Sequence, residues 1–352
     1  MSTPTFVVGT GRCGSTMLSN MLHDHPLLLS LSEFFSMITD GELAPDPFRC
    51  EPMNGEQFWS VVSHLSRYFS FFARHRIPLP ELLYPYDDPA ALFSGETGIP
   101  VIQLTTLPHV TDDHDALFLA LATEVKTWRT AQIGQHYRHL FDWLTTQFDK
   151  RQWVERSGAL LWVDQYLAMF PDARFVHIVR DGRDVALSMM QHNSYRLGLA
   201  WGLVEDELGV HPLVDPDRSR LEQLPADLRS LLPELFDPAA FARFSLPVEV
   251  ATQFWVSQLD DGLQLLSRLP ADRLLTLRYE DFLIDAKDQL DAFAAFLGDE
   301  FIDEAWSARC AATIRAPRST WRILPEPEAL ALTEACRPGF EKLAEVGIRY
   351  AD

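Results

Sequence analysis

Cysteine is scarce in this chain. Four residues in 352, Cys13, Cys50, Cys310 and Cys336, stand far apart and without C-x-x-C spacing. That excludes a zinc ligand set or a disulfide framework and predicts free thiols in a reducing compartment. Basic charge is also short: 30 Lys and Arg face 50 Asp and Glu, a net charge of −20. Such a surface repels nucleic acid and anionic membranes, so neither is expected as a partner. No run approaches the length of apolar sequence needed to span a bilayer. No positive segment precedes the apolar start Phe6–Val8, and Gly9 cuts that run short, so no signal peptide is expected. No cluster of metal-ligand residues stands out, and no metal is expected. The remaining balance, 47% hydrophobic and 23% charged, is that of an ordinary globular chain. A cytoplasmic, soluble protein follows, and a homodimer is compatible with it.

Strands and helices alternate at both ends of the sequence. Thr5–Val8 is a β-branched and aromatic run, Gly9–Gly14 a turn, and Ser15–His23 a helix ending before Asp24-His25-Pro26. A second apolar run, Leu27–Leu31, follows. From Phe34 to about Lys150, Pro-rich loops separate amphipathic segments such as Gln57–Arg74 and His114–Phe148. Regularity returns at Trp153. Leu160–Phe170 is helical, Arg174–Val179 a buried strand, and Asp184–Gln191 a helix. After the irregular stretch Gly198–Pro247 come helix Val248–Arg268, strand Arg273–Leu277 and helix Ala286–Leu297. The alternation predicts an α/β fold: a parallel β-sheet flanked by helices. One domain over 1–352 is expected, with helical insertions at about 36–150 and 198–247.

Gly9-Thr10-Gly11-Arg12-Cys13-Gly14-Ser15-Thr16 satisfies two patterns at once. As G-x-G-x-x-G after a strand it is a dinucleotide fingerprint, with Glu33 about where a ribose-binding acid would stand. As G-x-x-x-x-G-x-[ST] it is a phosphate loop whose lysine has become Ser15. In both, glycines let the backbone turn its N–H groups onto an anion at a helix N-terminus. The absent lysine removes the group that a kinase uses on the β- and γ-phosphates, while Arg12 supplies a cation nearby. A tight turn that binds nothing is the plain alternative. The second constellation is Arg180-Asp181-Gly182-Arg183-Asp184, closing a strand, with Ser188 one helical stretch later. Arginine and serine suit a second phosphate; alternatively, these four charges form a solvated salt-bridge cluster.

Taken together and in this order, the two motifs resemble those of sulfotransferases that use 3′-phosphoadenosine 5′-phosphosulfate (PAPS), most closely the tyrosylprotein and bacterial branch. Gly11–Thr16 is similar to that family's 5′-phosphosulfate loop, and Val179–Arg183 with Ser188 to its 3′-phosphate motif. Arg278-Tyr279-Glu280-Asp281-Phe282 resembles its Y-E-D-L strand end. Phe296-Leu297-Gly298 is similar to the close of its helix, and Arg318-Ser319-Thr320 to its late nucleotide loop. Cys13 and Gly11 depart from the usual serine and proline, and Glu155-Arg156-Ser157-Gly158 stands near the place of a usual lysine motif. The resemblance implies a phosphate-loop α/β fold and PAPS as donor, released as adenosine 3′,5′-bisphosphate. It implies that Gly11, Arg12, Cys13, Gly14, Ser15 and Thr16 hold the 5′-phosphate. Arg180, Ser188, Arg318 and Ser319 would hold the 3′-phosphate, Tyr279 would pack near the adenine, and Arg156 would assist transfer.

Sulfuryl transfer to a hydroxyl or amine also needs a base. The resemblance gives that role to Glu33, with His109 as the second choice, whereas His177 belongs to an apolar strand and is expected to be core. Phe58-Trp59, Tyr68-Phe69 and Phe71-Phe72 either line an apolar pocket for a small hydrophobic acceptor or are simple core at helical spacing. An NAD-dependent oxidoreductase, a phosphate-loop kinase and a non-catalytic nucleotide-binding protein are the competing classes.

Overall fold

A computed structural model of the chain describes residues 3–39, 45–158, 160–214, 219–315 and 320–350. Five strands form one parallel sheet: β1 (Thr5–Val8), β2 (Leu28–Ser32), β3 (Gln152–Arg156), β4 (Arg174–Val179) and β5 (Leu274–Arg278), in the order β2-β3-β1-β4-β5. All residues of β1, β2 and β3 are buried, as a parallel sheet covered on both faces requires. Alternate side chains of β1 feed two cores. Phe6 and Val8 point to one, where Phe6 stacks on Tyr166 with centroids 4.2 Å apart. Val7 points to the other, against Leu18, Leu22, Val176 and Phe293. Helices Ser15–His23 and Tyr279–Leu297 cover the Val7 face. Helices Ile133–Gln147, Val163–Met169, Gly182–Gln191 and Val248–Leu266 supply side chains to the opposite core.

Register brings the functional segments to one edge. Val7 pairs with Arg156, Ser32 with Arg156, Val8 with His177 and Val179 with Arg278. Gly9, Glu33, Ser157, Arg180 and Tyr279 therefore all leave the sheet at the carboxyl ends of their strands, where ligands of open α/β sheets bind.

Several boundaries differ from the sequence reading. The helix after β4 starts at Gly182, because the Asp181 side chain accepts from Arg183 N and caps it. The irregular stretch expected from Gly198 opens instead inside helix Asn193–Leu208. Helix Tyr279–Leu297 begins seven residues before the expected Ala286; Asp285 is non-helical (φ −144°, ψ 80°), and the periodic segment visible in sequence starts just past that kink. No helix among the described residues is long and apolar enough to cross a membrane.

Candidate active site

The Gly9–Gly14 turn is shaped by contacts that forbid side chains. A β-carbon at Gly9 would stand 2.5 Å from Cys13 Sγ, one at Gly11 1.8 Å from Tyr195 Oη, and one at Gly14 2.4 Å from the Tyr279 ring. Gly11 (φ 74°) and Gly14 (φ 98°) also occupy left-handed backbone that other residues adopt at a cost. Gly14 is the N-cap of helix Ser15–His23, with no side chain capping it and no acid in the first turn. The leading N–H groups of that helix are thus left for an anion.

A cavity of about 160 Å³ opens on this turn, and Gly11, Arg12, Ser15, Thr16, Glu33 and Arg156 all line it. Arg156 is 3% exposed. Its Nη1 donates to Glu33 Oε1 and its Nη2 to Ser32 Oγ at 2.7 Å. Ser36 Oγ donates to the second Glu33 oxygen. Glu33 itself is left-handed (φ 56°), as is Arg12 (φ 53°). Such backbone costs about 1–3 kcal/mol per residue and concentrates at functional sites. Glu33 is held there by its N–H, which donates to Arg156 O at 2.6 Å, and by its carbonyl, which accepts from Met37 N at 2.9 Å.

Arg12 spans the cavity: its Nε donates to Ser188 Oγ at 3.1 Å and its Nη1 to Glu81 Oε1 at 2.8 Å. The other Glu81 oxygen lies 2.8 Å from His192 Nε2. Burial alone would raise the Glu81 pKa, but the His192 hydrogen bond and charge, joined by the charge of Arg12, hold it down at about 2. Glu81 is therefore an anion wherever the protein is folded near neutral pH. Arg180 Nη1 donates to Arg12 O at 3.0 Å, and its guanidinium lies 4.5 Å from the Tyr279 ring centroid. Arg156 Nε and Arg180 Nε, both buried, have no partner among the described residues. Two arginines with a donor to spare beside an uncapped helix start have the chemistry to hold an oxyanion.

Tyr279 also borders a second cavity of about 580 Å³, together with Met17, Asn20, Arg309, Ile314 and Arg315. Cys13 is buried, and burial raises its pKa; what it could offer an anion is its backbone. Arg318 and Ser319 lie outside the described residues.

The solvated salt-bridge alternative for the second constellation does not hold. Asp181 and Arg183 are buried and paired through Nε to Oδ1 at 3.0 Å and Nη2 to Oδ2 at 2.8 Å, beneath the Trp321 ring. Asp184 is buried too and accepts from Trp321 N at 2.8 Å. Removing one member of such a pair costs about 3–5 kcal/mol. His109 is not among the residues lining the first cavity. It meets Ser30 Oγ at 3.1 Å, and burial, then His23 and Arg156, push its pKa down to about 4. His177 is core, as expected, with its pKa lowered to about 4 by burial. Phe58, Trp59, Phe71 and Phe72 are buried core, whereas Phe69 borders the cavity with Met37 and Leu79. Glu81, His192 and Tyr195 escaped the sequence reading: Glu81 sits in a Pro-rich loop, and no motif marks the other two.

Comparison with known proteins gives this geometry a family. Residues 4–237, more than half of the chain, match the model of the sulfotransferase family, and residues 161–314 match that of the sulfotransferase domain. No curated protein sequence matches the chain. Among solved structures, the sulfotransferase domain from the curacin biosynthetic pathway is 15% identical, with 95% of this chain and 97% of that one covered and a TM-score of 0.43. A sulfotransferase from Mycobacterium avium is 17% identical over 98% and 76%, with a TM-score of 0.42. One from Alicyclobacillus acidocaldarius is 15% identical over 100% and 98%, with a TM-score of 0.38. At such scores the family models alone carry the assignment.

Proposed function

Because the chain belongs to the sulfotransferase family, we propose that it takes its sulfuryl group from PAPS and passes it to a hydroxyl or amine of a small acceptor in the Glu33–Glu81 cavity. The family match sets aside the oxidoreductase and kinase readings of the glycine loop. The observation that carries the proposal is the convergence of the uncapped helix start at Gly14 with Arg12, Arg156 and Arg180 at the carboxyl ends of three neighbouring strands.

In this reading Gly11, Arg12, Gly14, Ser15 and Thr16, with the backbone of Cys13, hold the 5′-phosphate. Arg180 and Ser188 hold the 3′-phosphate, aided by Arg318 and Ser319. Tyr279 faces the adenine, and the second cavity it borders offers room for the base. PAPS supplies the sulfuryl group: an acceptor oxygen or nitrogen bonds to sulfur as the bond from sulfur to the bridging phosphate oxygen breaks, its electron pair leaving with adenosine 3′,5′-bisphosphate. Glu33 takes the acceptor proton, and Arg12 and Arg156 stabilise the charge left on the phosphate. These cations meet the electrostatic need, so the proposal includes no metal. The acceptor end of the cavity joins apolar walls (Met37, Phe69, Leu79) to Glu33, Glu81 and Ser194. That favours a small, neutral or cationic, partly hydrophobic acceptor over a polyanion. Side chains from segments after β2 and after β4 complete one cavity, which supports reading the chain as a single catalytic unit with two insertions.

Calorimetric titration with adenosine 3′,5′-bisphosphate, NAD and ATP in parallel tests this. The bisphosphate should bind best. Arg180→Ala should weaken it by roughly tenfold or more, the loss of a charge-assisted hydrogen bond, and weaken 5′-AMP far less. A preference for NAD or ATP, or equal losses for the two adenosine nucleotides, would sink the reading.

A further inference from the structure

Tyr195 stands in the first turn of helix Asn193–Leu208 and lines the cavity. Its ring is fixed on two sides, edge-on to His192 with centroids 5.7 Å apart and to Phe254 at 6.1 Å. His192 is tied to Glu81 and Glu81 to Arg12, so the ring is braced against the same network that holds the loop arginine. Its hydroxyl lies over Gly11, so close that a β-carbon there would be 1.8 Å away. Its ring contacts among the described residues are those with His192 and Phe254, and the hydroxyl end lines the cavity. Tyr195 is half-buried and its hydroxyl faces the cavity, so a ring fixed on two sides holds a free donor at the anion loop.

We propose that the Tyr195 hydroxyl is a catalytic donor, giving its hydrogen bond to an oxygen of the sulfuryl group during transfer. This role rests on the proposal that the Gly11–Thr16 loop seats the phosphosulfate. The sulfuryl oxygens bear the charge of the moving group, and a fixed donor aimed at them costs no reorganisation when the bond to phosphate breaks. Tyr195 keeps its proton throughout: burial, then the Glu33 carboxylate, raise its pKa, so it acts as a neutral phenol rather than a phenolate. The role is distinct from those of Arg12 and Arg156, which face the leaving phosphate, and of Glu33, which faces the acceptor proton. It also gives Gly11 a second reason to be glycine, since any side chain there would displace the hydroxyl.

Tyr195→Phe removes the oxygen and keeps the ring packing. The experiment compares PAPS with adenosine 3′,5′-bisphosphate by calorimetry on the wild-type and variant proteins, with no acceptor present. The two ligands differ only in the sulfuryl group. The variant should bind PAPS roughly tenfold or more weakly, the loss of a hydrogen bond to a charged group, and bind the bisphosphate within about twofold of wild type. Equal losses on both ligands, or none on either, overturn the role. A wild-type protein that binds neither nucleotide overturns the donor reading itself and this role with it; one that binds both while the variant shows no selective loss overturns Tyr195 alone.

Discussion

Glu33 carries opposing demands within one side chain. Arg156 and Ser36 each hold one of its oxygens, yet its proposed task is to accept a proton. The two are compatible if the donor's phosphate draws Arg156 away, because a guanidinium serves either anion with the same fork. Replacing Glu33 with Gln should then lower turnover by about 10²–10⁴-fold, the range of a lost general base. Bisphosphate affinity should hold or improve, since Arg156 loses a competing anion. Turnover of PAPS with a panel of phenols, alcohols and amines, paired with bisphosphate titration, measures both; intact turnover in the variant would remove Glu33 from the role. Arg12 was a candidate from the glycine loop itself, and Glu33 and Arg156 from the resemblance to the family's motifs. Glu81 was not. It stands 69 positions after Arg12 in the chain, and nothing in its Pro-rich neighbourhood announces a half-buried carboxylate at the site.

The same contrast holds for whole elements. β1, β4 and the first helix were readable because apolar or β-branched runs end in glycine or in charge. β3 was not read as a strand, because Gln152-Trp-Val-Glu-Arg156 ends in two charges, and both are buried. Glu155 accepts from Ser157 Oγ and, at 3.4 Å, from Phe35 N; Ser157 Oγ in turn accepts from Phe35 N at 2.8 Å and Ser36 N at 3.1 Å. The charged end of β3 therefore anchors the turn that carries Glu33. Helix Asn193–Leu208 was not read as a helix, because the prolines and acids of Gly198–Pro247 marked that stretch as irregular. At Gly198 a β-carbon would come within 3.1 Å of Tyr68 Oη, a packing reason for glycine in mid-helix. Burial raises the Glu155 pKa to about 8, with Ser157 and Phe35 N offsetting part of it. The folded state thus binds this proton more tightly than the unfolded chain, whose value is 4.5. The stability it lends is complete below the unfolded value and is lost as pH rises towards 8. Glu155→Gln should therefore melt close to wild type at the acid end of that window and above it at the alkaline end. Thermal unfolding at both ends decides this, and a pH-independent gap would mean that Glu155 does not titrate there.

At the scale of the whole molecule, a net charge of −20 faces a proposed donor that is itself multiply anionic. The arginines that would attract it are compensated before it arrives, Arg12 by Glu81 and Arg156 by Glu33. From beyond a Debye length, about 10 Å at 0.1 M salt, the cavity therefore presents little positive field and the surrounding acids dominate. Attraction begins only at contact range, where the uncapped helix start and the spare arginine donors act. Association of adenosine 3′,5′-bisphosphate should then quicken as salt rises from about 20 to about 200 mM, because screening removes long-range repulsion first. Electrostatically steered binding slows steeply under the same change. Glu81→Gln exposes the Arg12 charge and should raise the low-salt association rate while flattening its dependence on salt. Stopped-flow mixing with a fluorescent bisphosphate analogue reads both slopes. A wild-type rate that falls with salt would show that Arg12, Arg156 and Arg180 outweigh the acidic surface at a distance, and that the pairing of Arg12 with Glu81 and of Arg156 with Glu33 does not mask the site.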